Sequence, residues 1–173
     1  MKDYTKLTDA EKKALLDKIA QVAHDTEYSY GSCAQSCLKA LKEAFPDMGI
    51  TDELFAASYG LAGGCGCSLE GTCGALNGAA LAVSACIGRP ENNMDGDYSS
   101  CYEKIRDLVA PFKAKYNGVR CGDVMTTTLG AVYDFKTEEG EKGYMDHDGD
   151  EHCAQAVVFA ATMVANLILN GEL

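Results

Sequence analysis

Apolar side chains recur at intervals of three and four along most of the chain. Leu15, Leu16, Ile19, Val22 and Ala23 share one helical face behind the capping box Thr8-Asp9-Ala10-Glu11, so a helix is expected from about 9 to 25. A second begins at Ser32, carries Cys33, Cys37, Leu38 and Leu41, and is stopped by Pro46. Thr51 caps a short third helix that reaches Tyr59.

The run GLAGGCGCSLEGTCG, residues 60–74, is too rich in glycine for regular structure and lets backbone come close to another group. From Thr72 onward CGALNGAALAVSACIG is small and apolar on most faces, as a central helix would be, with Gly74 and Gly78 spaced for a close helix neighbour. After a turn at 92–97, Tyr102, Ile105, Leu108, Val109 and Phe112 mark a helix ending at Asn117-Gly118, with a kink or break expected at Pro111. A short helical segment is expected from Cys121 to Leu129. The stretch YDFKTEEGEKGYMDHDGDEH, residues 133–152, reads as a long polar loop, and a last helix covers about 151–170. Its apolar part, residues 156–169, is too short for a membrane span of ~20 residues and reads as a buried core helix. Nothing alternates with period two. The expectation is an all-α, single-domain bundle of five to seven helices, residues 1–173, with a glycine- and cysteine-rich loop before the central helix.

A chain of 173 residues, 47% apolar, buries a sizeable core without covalent staples. Yet it has nine cysteines, an odd number at irregular spacing behind a polar start, which argues against a secreted disulfide framework and for a reducing cytoplasm. There, clustered thiols point to metal or redox chemistry. The net charge of −11 disfavours nucleic acid and anionic lipid as partners.

Cys33, Cys73 and Cys153 fall in the first turn of expected helices, and Cys121 opens the short segment that runs to Leu129. Helix starts stabilise thiolate, the form that attacks disulfides and ligates metals. Cys86 and Cys101, inside apolar helical runs, read as core filler, and Cys37 stands one turn after Cys33. His152 is next to Cys153, placed to lower its pKa or to replace a thiolate on iron, against a plain reading as a solvated first-turn residue. Gln35, Asn77 and Gln155 are amides that either bond near the site or satisfy backbone elsewhere. The acidic run at 146–152 lacks the glycine position and the distal Glu of a calcium loop. No nucleotide-binding, serine-hydrolase or zinc-protease motif occurs, and no turnover of a small-molecule substrate is expected.

The segment Cys73-Gly74-Ala75-Leu76-Asn77-Gly78 reads CGAxxG. With Cys33 before it and Cys121 and Cys153 after it, residues from about 30 to 160 resemble the redox-active protein family named C_GCAxxG_C_C. The resemblance implies that these four cysteines form the site. It also implies a relation to the N-terminal part of split-Soret cytochromes, for which an iron–sulfur centre is proposed, and a setting beside transporters. Without CxxCH, covalent haem is not implied. Cys65 and Cys67 stand outside the family pattern, as additional ligands or as a resolving pair.

Three readings follow. One is an electron-transfer or redox-sensing protein with a cysteine-ligated iron–sulfur cluster, whose partners are a redox protein and a second copy of the chain in a homodimer. Another is a cofactor-free thiol protein cycling a pair such as Cys33 and Cys73, or Cys65 and Cys67. The third is a helical scaffold whose cysteines pack or hold a structural zinc, although zinc sites favour paired C-x₂₋₄-C spacing.

Overall fold

The computed structural model describes residues 1–97 and 99–173. Eight α-helices form among them: α1 (Asp9–Tyr30), α2 (Cys33–Ala44), α3 (Asp52–Ala57), α4 (Gly74–Ile87), α5 (Ser99–Tyr116), α6 (Cys121–Leu129), α7 (Glu138–Asp146) and α8 (Gly149–Leu169). The described residues contain no strand; an isolated antiparallel bridge joins Thr72 and Arg120. The all-α expectation holds, with one helix more than the range of five to seven.

The additional helix is α7, in the stretch read as a polar loop. Thr137 caps it by accepting from the Gly140 N–H at 3.0 Å. Glu138, Glu139 and Glu141 meet the positive end of its dipole. Its few apolar groups suffice because Tyr144 is buried edge-on against Phe135, with ring centroids 5.0 Å apart. At the other end of the chain, α1 begins at the capping box as expected but continues to Tyr30, five residues further. Pro111 lies inside α5, which runs through it without a break.

Helix α8 packs against α1, α2 and α4, and α4 also packs on α2 and α5. Phe45, Phe112, Leu38, Leu41 and Val157 are completely enclosed there, each contributing roughly 1.5–3 kcal/mol of apolar burial. By length and apolarity α8 would suffice to cross a membrane, because it starts seven residues before the apolar run; half of its most apolar window is buried inside the fold. A smaller apolar cluster of Leu69, Cys121, Met125, Leu129 and Tyr144 lies beside the main one, with Phe135 and Cys153 packed on it. Cys73 belongs to the main core, with Cys33 packed against it. The cysteines therefore meet at the seam between two apolar clusters.

Candidate redox site

The CGAxxG segment is shaped by what leans on it. A β-carbon on Gly78 would stand 2.6 Å from the Ala34 carbonyl oxygen and 2.8 Å from Cys37 Cβ, and one on Gly74 would meet Cys33 Sγ. The two glycines, one turn apart, let α2 lie against the backbone of α4 with the Cys33 sulfur at the contact. Cys33 is the first residue of α2, Cys73 is the N-cap of α4 and Cys121 is the first residue of α6. Cys153 differs from expectation: α8 starts at Gly149, which puts it in the second turn.

Backbone hydrogen bonds fix two of these positions together. The Cys73 N–H donates to Val119 O at 2.8 Å and the Cys121 N–H to Gly71 O at 2.9 Å. Between α3 and α4 the chain makes a left-handed turn in which Gly63, Gly64, Cys65, Gly66 and Cys67 all have φ between 56° and 72°. For the two cysteines this costs roughly 1–2 kcal/mol each, and backbone strain of that kind collects at functional sites. Loop bonds hold the turn, among them Leu69 N–H to Gly63 O at 2.9 Å.

All four cysteines face one cavity of about 240 Å³, at ~30 Å³ each room for roughly eight waters. Glu27, Ser32, Cys67, Met125, Phe135, Tyr144, Asp150 and His152 contribute to its wall, and no Lys or Arg does among the described residues. Cys67 is exposed at this wall, whereas Cys65, also exposed, is not part of it. Cys37 and Cys101 are buried away from the cavity, and Cys86 is half-buried with its thiol donating to Met48 O at 3.4 Å. Those three fill core. Gln35 donates to Phe55 O and Gln155 to Glu151, so neither serves the site; Asn77 donates to Thr72 O, just before Cys73.

The thiols are electrostatically unequal. The Cys73 thiol donates to the Cys33 sulfur, and with the Gly63 and Ala34 amides it outweighs burial and lowers the Cys33 pKa to about 7. Cys73 is correspondingly pushed up, through that hydrogen bond and burial. Burial pushes Cys121 up to about 12. It also raises Cys153, although the Tyr144 hydroxyl donates to that sulfur. Of these four, Cys33 alone is poised to ionise near neutral pH.

Glu27 is one of the wall residues that reading the sequence missed. It is 7% exposed, and burial together with the Cys33 charge raises its pKa to about 8. Ser36 Oγ lies 2.8 Å from Glu27 Oε2 and 3.0 Å from Gly31 O. Ser36 donates at both contacts, and its bond to the Glu27 carboxylate offsets part of that rise. The signal was present: Ile19, Ala23 and Glu27 follow one another at helical spacing, and all three are buried. It becomes legible once α1 is carried past residue 25. Tyr144 and Phe135 were missed because the segment around them was read as loop.

Among the described residues, no three His, Cys, Asp or Glu side chains are grouped to hold a metal ion. A tetrahedral zinc with ~2.3 Å bonds would draw its four sulfurs to within about 4 Å of one another. A cluster spreads its thiolates over several irons, and what it asks of the protein is a sulfur-lined space.

The family model described as "Putative redox-active protein (C_GCAxxG_C_C)" matches residues 31–167, which include all four cavity cysteines and the glycines that seat Cys33. No curated protein matches the chain. No solved structure matches it. By its family match over most of its length, and with the cysteines of that pattern gathered at one cavity, the chain belongs to the C_GCAxxG_C_C family of redox-active proteins.

Proposed function

We propose that the chain is a one-electron carrier or redox sensor whose cavity holds an iron–sulfur centre on Cys33, Cys73, Cys121 and Cys153, exchanging electrons with a protein partner. The observation that carries this reading is the convergence of four thiols, from three helices and the N-cap of a fourth, on one cavity whose wall has no Lys or Arg among the described residues. A pair of redox thiols needs neither the other two cysteines nor a cavity. Four thiolates without Lys or Arg nearby do need a cation, and binding one would displace the protons that burial keeps on Cys73, Cys121 and Cys153.

The donor set fits such a group, which when bound supplies reversible one-electron transfer. The Gly63 and Ala34 amides turn toward the Cys33 sulfur, and the Tyr144 hydroxyl toward that of Cys153. Leu129, Met125 and Phe135 limit water on the side of the smaller cluster. Cys67 and His152 also belong to the wall, Cys67 as a further thiol.

Iron, zinc and acid-labile sulfide content, with visible absorbance, on protein purified without oxygen tests the reading. Iron with sulfide, lost on Ser substitution of any of the four cysteines, supports it. Zinc alone, or no metal in well-folded protein, overturns it.

A second reading is favoured by the Cys73 thiol donating to a Cys33 sulfur of pKa about 7. Cys33 thiolate attacks one sulfur of a partner disulfide and releases the other as thiolate. Cys73 then attacks Cys33 in the mixed disulfide, gives up its proton, and frees the second partner sulfur. Metal-free protein that forms a Cys33–Cys73 disulfide on mild oxidation would move the assignment here.

A further inference from the structure

Cys67 is the thiol of the cavity wall that stands outside the four-cysteine pattern, and the fold has made a place for it. A β-carbon on Gly63 would stand 2.8 Å from Cys67 Sγ and 2.7 Å from its Cα, so this glycine keeps room for the Cys67 sulfur as Gly74 does for that of Cys33. The same turn borders Cys33. A β-carbon on Gly74 would run into Cys33 Sγ and lie 3.1 Å from Ala62 Cα, and the Cys67 N–H donates to Ala62 O at 3.2 Å. Ala62 and Gly63, wall residues themselves, therefore adjoin both cysteines.

The thiols differ in what can reach them. Cys67 is exposed, Cys33 is half-buried, and Cys73 and Cys121 are buried. A cavity of about 240 Å³ does not admit a peptide-sized disulfide, so an oxidant of that size meets Cys67 first. Beside it, a β-carbon on Gly66 would have nothing within 4 Å, which leaves the outer side of the turn open. Cys67 is held in that turn at φ 56°, a left-handed conformation that costs any residue but glycine.

We propose that Cys67 is the exchange thiol of the site: it reacts with low-molecular-weight disulfides at the surface and passes the oxidation to Cys33, closing a Cys33–Cys67 disulfide at the cavity wall. The Cys67 thiolate attacks one sulfur of the small disulfide, and the other half leaves as thiolate. Cys33 thiolate then attacks the Cys67 sulfur of the mixed disulfide and expels the second half. Two protein thiols lose two electrons and two protons, and the small disulfide takes them up as two thiols. Cys33 tied in this way is withheld from any centre that the four cysteines share, until a thiol reduces the bond. The proposal concerns the metal-free chain and goes beyond the iron–sulfur reading without depending on it.

The test exposes the reduced, metal-free full chain to oxidised glutathione, quenches it at intervals by alkylation, and maps the cysteines by peptide mass spectrometry. Glutathione on Cys67 is expected first, followed by the Cys33–Cys67 disulfide. Cys67→Ser is expected to slow the loss of the Cys33 thiol by about tenfold or more. Cys65→Ser, at a thiol also exposed but off the wall, is expected to leave that rate at the parent's. In Cys33→Ser the glutathione adduct on Cys67 should persist; should that variant fail to fold, Cys67→Ser, at an exposed position, carries the test. Cys33 oxidised in Cys67→Ser at the parent's rate overturns the proposal, as does an adduct on Cys67 that never passes to Cys33. Iron and sulfide uptake is measured separately, and its failure overturns the iron–sulfur reading alone.

Discussion

A β-carbon on Gly74 would run into Cys33 Sγ. The glycine of the CGAxxG segment is thus a space kept for a sulfur that arrives from another helix. The obstruction is the tip of a short side chain, although Leu61 O and the Ala62 Cα lie 3.1 Å away as well. Gly74→Ala is therefore expected to act first on the site, swinging the Cys33 sulfur off its donors. In metal-free protein the pH midpoint for alkylation of Cys33 should rise from about 7, with a smaller change in unfolding free energy than at Gly78.

Gly78 gives the opposite balance. The β-carbon of Gly78→Ala would meet the Ala34 carbonyl oxygen at 2.6 Å, and backbone cannot step aside as a side chain can. Helices α2 and α4 must separate. A loss of about 1–3 kcal/mol is expected in urea unfolding, in spite of alanine's better helix propensity.

Cys73→Ala tests the source of Cys33 acidity. The Cys73 thiol is the largest influence lowering the Cys33 pKa, ahead of the amides. Thiolate is the reactive form above the pKa, so removing this donor shifts the rate profile of Cys33 alkylation to higher pH. Mass spectrometry of the modified peptide in metal-free protein reads it directly. A profile that stays near pH 7 would assign the acidity to the Gly63 and Ala34 amides alone.

Glu27 makes stability depend on pH in a stated direction. Its pKa rises from an ordinary 4.5 to about 8 on folding. Between those values the unfolded chain has released this proton while the folded chain retains it, so the contribution of Glu27 to stability falls as pH rises through the window. Glu27→Gln removes the dependence. It is expected to stabilise the metal-free protein by up to about 3 kcal/mol at pH 7 and by almost nothing near pH 4, in denaturant melts at the two pH values.

Elements marked by local chemistry were legible in the sequence. The Thr8 capping box, the Thr51 cap and the apolar faces of α2, α4 and α5 appear where periodicity put them. The four cysteines were legible as a set through the family pattern, helix starts accounting for Cys33, Cys73 and Cys121 but not for Cys153, and all four line one cavity. What periodicity could not deliver was anything decided by contact at a distance. Helix α7 is stabilised by Tyr144 packing on Phe135 across a turn, which no local pattern records. Glu27 looks like a surface residue until α8 and α2 cover it. The separation of Cys67 from Cys65 follows from a left-handed turn in which even neighbours two apart reach different surroundings.

The cavity wall is drawn from α1, α2, the glycine turn, the N-cap of α4, α6, α7 and α8, so its members span residues 27 to 156. During synthesis, then, the early thiols wait. Cys33 and Cys73 leave the ribosome long before Cys153, and until α8 docks against α1, α2 and α4 they belong to an incomplete fold with open apolar surface. Any occupant that needs all four sulfurs is received only after α8 has been made and docked, and truncation within α8 is a loss of site and core together.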